Sequence, residues 1–442
     1  MMDPSSHARW LVPLIVVSVA AGVRLWGITS PDRFYWDEQY YVDDAEVYLG
    51  GGIAQPIEGA PSVAIANEGT WVHPPGGKWI IALLGIGPFG NRPIGWRLPS
   101  VLFGIAGVAL VYLLAFRLWR SIWWAGFAAL LLALDGLHIV QSRIAMLDVF
   151  LTTFITAGIL FVVLDRERME RGDDPGRWTR FDAFFGSPYR FWAGVCFGAA
   201  VATKWSGAFG LFFAASLSTV WALTGDRRRG KSVPGTIGTL VASFALVPLS
   251  IYLLSYGSFF FQHGVAIHGF VTLQLRMLRY QQDHVRIQPE NSSPWTWPLL
   301  LDPIRYYRVG AGNAVRTIVA LGNPALWWGY LILLPVGIVT SLRRRRWESA
   351  LIFGGYLAMY LPWLAVPRTQ FLFYMLPAVP LMCLGVAAIL RDLPPRAAPA
   401  AALVGVAIVT LAAALFLPAW TGWSTSAGWL ERLRFLPHWP LR

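Results

Sequence analysis

Ten apolar segments long enough to cross a bilayer punctuate this 442-residue chain, near 10–28, 97–116, 121–140, 144–164, 206–224, 233–256, 321–341, 348–366, 370–390 and 399–418, with a shorter one near 190–203. A spanning helix needs about 20 residues because the hydrocarbon core is roughly 30 Å thick and each residue rises about 1.5 Å. Backbone groups in that medium must pair with one another, so only helical bundles and closed barrels survive there, and runs of this length select helices. Composition agrees: 56% of residues are hydrophobic, 14% are charged and mean hydropathy is +0.51, which excludes an ordinary water-soluble domain. The expected fold is an all-α polytopic membrane protein.

Basic bursts between the runs set the topology. The loops after 164 (Arg166, Arg168, Arg171, Arg177, Arg180) and after 225 (Arg227, Arg228, Arg229, Lys231) are both basic and therefore both cytoplasmic. An even number of crossings must separate them, so 190–224 is predicted to be two short helices. That gives 11 spans, with Arg117/Arg120, Arg343 to Arg346 and Arg391/Arg396 on the same side, a cytoplasmic N-terminus and an external C-terminus. The run from Trp10 to Ile28 resembles a signal peptide with a cleavage site near Ala20-Ala21, but at about 19 residues it is long enough to span. The net charge of +12 thus orients helices, and nucleic acid is not an expected partner.

Two long segments, 29–96 and 257–320, fall outside, and chemistry is expected on them. With no internal repeat, residues 1–442 read as one membrane-embedded domain. Cys196 and Cys383, far apart in apolar runs, exclude a disulfide framework and a cysteine metal site.

The first external segment opens with Tyr35-Trp36-Asp37-Glu38. Residues 37–49 are predicted to form an amphipathic helix on the membrane, stopped by Gly50-Gly51-Gly52. Asp37 either caps that helix or acts as a base. The segment closes Trp71-Val72-His73-Pro74-Pro75, before an apolar run over 79–89 too short to span and predicted to be interfacial or re-entrant. His73 is an interface or a substrate-binding histidine.

Between two spans, Gln141-Ser142-Arg143 precedes Leu147-Asp148. Charges at the membrane edge are costly unless paired or functional, so Arg143 either pairs with Asp148 or holds a lipid phosphate bidentately. Only three of the 36 basic residues are Lys, and one of them, Lys204, falls at the break between the two short helices, where it can snorkel or bind phosphate. The second external segment carries His263, His268, Arg276, Arg279 and the Trp-rich turn around Trp295 and Trp297, which suits interface anchoring or stacking on a sugar. Asn291-Ser292-Ser293 also fits a glycosylation sequon. Arg368 lies between two external span ends as an anchor or another phosphate ligand.

Cations, a carboxylate and aromatic surfaces on one membrane face are what a lipid-phosphate sugar transferase needs. A carboxylate base, charge-stabilised departure of phosphate and no carboxylate nucleophile imply inversion. The chain has no Asp-x-Asp pair for a metal-bound nucleotide sugar and no phosphate-loop or dinucleotide glycine pattern. No cofactor or metal is expected, although Asp37 and Glu38 are close enough in sequence to share a divalent ion.

At this point the chain resembles the protein O-mannosyltransferases of the glycosyltransferase C superfamily (glycosyltransferase family 39). The matching marks are the Asp-Glu pair after span one, His-Pro-Pro, Gln-Ser-Arg with Leu-Asp beyond it, Lys-Trp-x-Gly, Ser-Pro-Trp-x-Trp-Pro, Gly322-Asn323-Pro324 and Arg-x-x-Phe-x-x-Tyr, in family order from residue 24 to about 380. The resemblance implies a glycosyltransferase C-type fold and transfer of mannose from polyprenyl-phosphate-mannose to Ser or Thr of exported proteins. It implies Asp37 as general base, Glu38 organising the acceptor site, Arg143, Lys204 and Arg368 as donor-phosphate ligands, and His73, Gln141, Asp148, Trp295 and Trp297 near substrate. The roughly 64 residues of the second external segment leave no room for the β-trefoil of eukaryotic members. Together with the Arg-rich usage, this implies a bacterial, actinobacterial-type enzyme of the plasma membrane that meets translocating polypeptides, with the secretion translocon as a candidate partner. Transfer to a lipid or cell-wall glycan is the nearest alternative, and a transporter is remote because inverted repeats and two-sided basic patterning are absent.

Overall fold

In the computed structural model, the described residues are 8–50, 72–171, 179–228, 233–263, 267–283, 290–310 and 314–441. Trp71, Arg177, Arg229, Lys231 and the middle of the first external segment lie outside them. The described chain is overwhelmingly helical. Seven helices are long and apolar enough to cross a membrane: α4 (Pro93–Trp119), α7 (Asp148–Arg171), α9 (Gly207–Arg228), α10 (Val233–Ser255), α12 (Pro324–Arg344), α13 (Leu372–Arg391) and α14 (Ala397–Thr421). The remaining predicted segments are helices that are shorter or interrupted, including α1 (Ala8–Leu25), α5 (Ile122–Ala133) and α8 (Pro188–Thr203).

The interior is built on α7 and α13, whose apolar windows are 78% and 94% buried, whereas α14 is 17% buried and faces outward. Hydroxyls inside α7 satisfy themselves locally: Thr152 donates to Asp148 O (2.7 Å), Thr153 to Val149 O (2.8 Å) and Thr156 to Thr152 O (2.8 Å). The predicted span 121–140 is broken at Asp135, which caps the short α6 (Gly136–Gln141) by accepting the His138 N–H at 2.9 Å. Asp135 also accepts from Asn323 N and Trp327 Nε1, joining α6 to the start of α12.

The predicted division of 190–224 is present, with α8 and α9 separated by the extended Lys204 (φ −150°, ψ 141°). Gly207 makes the tight restart possible, since a Cβ there would lie 2.5 Å from Ala200 C.

Helix α2 (Glu38–Tyr48) forms where predicted, but it is not a membrane-lying helix. Glu38, Tyr41, Val42, Asp44, Ala45 and Val47 are all buried, so protein covers more than one face. The short apolar run becomes the helical stretch α3 (Gly76–Phe89), and Gly76 lets it dock on the helix break, because a Cβ would sit 2.7 Å from Ala202 O. In the second external segment, helix α11 (Ile267–Asp283) is followed by an antiparallel hairpin of β1 (Ile304–Val309) and β2 (Arg316–Ala320), which an all-helical expectation does not contain. Its signal is the run of β-favouring Ile304, Tyr306, Tyr307 and Val309 ahead of Gly310 and Gly312.

Candidate active site

The loop joining α1 to α2 wraps around one buried cation. Arg97, in the first turns of α4, donates to Ile28 O (3.0 Å), Pro31 O (2.9 Å) and Arg33 O (2.9 Å), and grips both carboxylate oxygens of Glu38 at 2.8 and 2.9 Å. Glu38 Oε1 also accepts the Ala145 N–H at 3.1 Å, and Tyr35 donates to Arg143 O at 3.1 Å. Glu38 is therefore a fully engaged strut that ties the loop to α4 and to 142–147.

Asp37 is left in the opposite condition. It occupies the N-cap position of α2 yet makes no side-chain cap bond, and no hydrogen bond or ion pair to its carboxylate is found among the described residues. The preceding Trp36 is held in the left-handed region (φ 55°), an uncommon conformation for a bulky residue, by stacking on Tyr306 (centroids 5.0 Å) and an edge contact with Phe371 (5.9 Å). Burial pushes the Asp37 carboxyl up to about 6; Lys204 opposes that rise and Asp148 reinforces it.

Lys204 donates to both oxygens of Asp148 at 2.9 and 2.8 Å, with its ammonium 5.5 and 5.3 Å from the ring centroids of Phe373 and Tyr374. The alternative of an Arg143–Asp148 pair is not realised, since Asp148 takes Lys204. Both partners line a cavity of about 410 Å³, shared with His73, Ser206, Gln281, Gln282 and Arg368 among its polar groups and Leu151, Phe209, Trp363 and Val366 among its apolar ones. Arg368 donates to Thr369 O (3.2 Å) and the Tyr374 hydroxyl (3.1 Å) and has no carboxylate partner among the described residues. Its loop is fixed by the second external segment: Ser292 N donates to Gln370 O and Asn291 Oδ1 accepts from Gln370 N, both at 2.9 Å. That bond commits the carboxamide oxygen of the sequon asparagine.

His73 packs near Tyr41 (6.3 Å between rings) and is pushed well below the ordinary histidine range, first by burial and then by Lys204, Arg368 and Lys78. Burial and the neighbouring cations thus favour its uncharged form.

The structure thus brings Asp148, Lys204, His73 and Arg368 to one cavity, with Asp37 electrostatically coupled to the first two. It does not bring the other expected residues there. Arg143 donates to the carbonyls of Val23 (3.2 Å), Arg24 (2.8 Å) and Trp26 (2.7 Å), capping the end of α1. Gln141 is buried and donates to the Tyr306 hydroxyl at 2.6 Å. Trp297 is buried and donates to Ser292 Oγ, while Trp295 is exposed. Tyr374 closes the Arg-x-x-Phe-x-x-Tyr motif, whereas Arg97, Gln281 and Gln282 are not singled out by the sequence. Only Arg97 carried a signal, as a charge just inside an apolar run.

Comparison with known proteins adds the decisive observation. The family described as dolichyl-phosphate-mannose-protein mannosyltransferase matches residues 14–263, and the C-terminal four-transmembrane region of protein-O-mannosyltransferase matches 266–439. The chain belongs to the protein O-mannosyltransferase family. A polyprenol-phosphate-mannose–protein mannosyltransferase of Mycolicibacterium smegmatis is 30% identical over 436 residues, covering 87% of this chain and 82% of its own. The Saccharomyces cerevisiae protein O-mannosyltransferase Pmt1-Pmt2 complex bound to the sugar donor superposes with a TM-score of 0.80 at 14% identity, over 99% of this chain and 93% of that one. ArnT from Cupriavidus metallidurans bound to undecaprenyl phosphate gives 0.60 at 18% identity, over 91% and 64%. The glycosyltransferase C-type fold predicted for the mannosyltransferase family is the fold observed.

Proposed function

We propose that this protein transfers mannose from polyprenyl-phosphate-mannose to Ser or Thr hydroxyls of exported proteins. The observation that carries the reading is an uncommitted carboxylate, Asp37, whose charge is felt by Lys204 and Asp148 in the lining of a cavity that also holds a cation without a carboxylate partner among the described residues, Arg368. Asp37 takes the acceptor hydroxyl proton, the oxygen attacks the anomeric carbon, and the bond from that carbon to the phosphate oxygen breaks with inversion. The phosphate leaves with the electron pair, and Arg368 and Lys204 stabilise its added charge. Asp148 keeps Lys204 in place, and the apolar wall of Leu151, Phe209, Trp363 and Val366 takes the first prenyl units. No step needs a metal. With the basic loops in the cytoplasm, the site faces outward from the plasma membrane, where polypeptides emerge from a secretion translocon.

Membranes carrying the protein, given labelled polyprenyl-phosphate-mannose and a Ser/Thr-rich peptide containing Pro, are expected to label the peptide, with and without EDTA. Label entering lipid alone would point to a lipid acceptor, and loss of activity in EDTA restored by a divalent cation would overturn the metal-free route. Replacing Arg368 with Ala is expected to weaken binding of polyprenyl phosphate about tenfold or more, the scale of a lost charge-assisted bond. Unchanged affinity in an isothermal titration would remove Arg368 from the phosphate site.

A further inference from the structure

Helix α11 presents Leu278, Gln281 and Gln282 to the cavity, positions three and four apart that share one helical face. Gln281 Nε2 donates to Val72 O at 3.0 Å, which fixes its carboxamide beside the His73 turn. Neither Gln281 Oε1 nor the Gln282 carboxamide has a protein partner among the described residues. The helix is held against the phosphate end of the site. Trp205, next to Lys204, donates to the Tyr252 hydroxyl (2.9 Å), which donates to Gln274 Oε1 (2.6 Å), and the Tyr256 hydroxyl meets Met277 Sδ (3.4 Å). The helix that carries the two carboxamides is therefore tied to the residue next to Lys204.

We propose that Gln281 and Gln282 bind the hydroxyls of the transferred sugar and determine which hexose is accepted. This rests on the reading that the cavity holds a lipid-phosphate sugar. Arg368 and Lys204, the latter held by Asp148, face the phosphate, so neutral groups are what remain for the sugar. A hexose hydroxyl both donates and accepts, and a carboxamide is the side chain that offers both functions side by side. Charged groups at these positions would instead compete for the phosphate or for Asp37.

The test uses the purified full chain in lipid nanodiscs and three probes: polyprenyl phosphate, polyprenyl-phosphate-mannose and polyprenyl-phosphate-glucose. In the native protein the mannosyl lipid is expected to bind more tightly than the bare phosphate and the glucosyl lipid. Gln282→Ala, at an exposed position, and Gln281→Met, which keeps the volume, are expected to erase about tenfold of that preference and leave the bare phosphate within twofold. An unchanged preference, or an equal loss for all three lipids, would overturn the sugar assignment, as would a native protein that binds mannosyl and bare lipid alike. Failure of the cavity reading looks different: Arg368→Ala would leave the bare phosphate affinity untouched.

Discussion

Asp37→Asn is expected to lower mannose transfer by about three orders of magnitude, within the 10²–10⁴ range that a positioned base contributes, while polyprenyl phosphate binds as before. The substitution keeps shape and hydrogen-bonding capacity but removes the carboxylate assigned to accept the hydroxyl proton. Because Asp37 makes no cap bond and no ion pair, its loss removes little structure, and unfolding temperature is expected to stay close to the native value. The same assignment fixes a pH profile. A base works only when ionised, and burial lifts this carboxyl to about 6, so the rate at subsaturating donor rises with pH through about 6 and levels above it. Transfer by the Asn variant at near-native rates, or a profile flat from pH 5 to 7, would remove Asp37 from the role of base.

Arg97→Ala is expected to be the most damaging substitution to stability. Breaking a buried ion pair by removing one partner leaves a buried charge uncompensated, at about 3–5 kcal/mol. Here it also strands the carbonyls of Ile28, Pro31 and Arg33. The loop that aims Asp37 would lose its centre, so protein recovered in detergent should unfold at lower temperature and show little transfer. Lys is not expected to rescue it, because a single ammonium cannot span two carboxylate oxygens and three carbonyls at once. Glu38→Gln, which keeps the shape and the Ala145 contact, should be milder than Arg97→Ala. An Arg97→Ala protein with native melting behaviour and activity would show that the loop is ordered by something else.

The two arginines show how far the sequence could be read. Arg143 and Arg97 both stand at the ends of apolar runs, and the sequence reading assigns the phosphate to Arg143 because a guanidinium matches phosphate oxygens and its Gln-Ser-Arg motif resembles the family's. In the folded protein the end of α1 lies beside Arg143 and presents three carbonyls that lack helical partners, so Arg143 satisfies them. Asp148 then pairs with Lys204, 56 residues away, because α8 breaks there and the packing of α8 on α7 brings the two side chains together. Which cation neutralises which carboxylate depends on helix packing between distant segments, and no spacing in the chain encodes it.

The adjacent carboxylates divide in the same way. Sequence placed Asp37-Glu38 just beyond an apolar run and, through the family resemblance, assigned the base to Asp37, but no spacing shows what holds Glu38. In the folded protein Arg97 claims Glu38.

What the sequence determined alone was set by local physics. Apolar run length against bilayer thickness gave a polytopic helical protein, Lys scarcity and the Lys-Trp-x-Gly break located Lys204, and the ordered motifs gave the family. Only the tertiary structure decided the identity of the free groups. A buried charge or carbonyl takes whatever partner the packing brings within about 3 Å, and among the described residues that leaves Asp37 without a side-chain partner and Arg368 without a carboxylate.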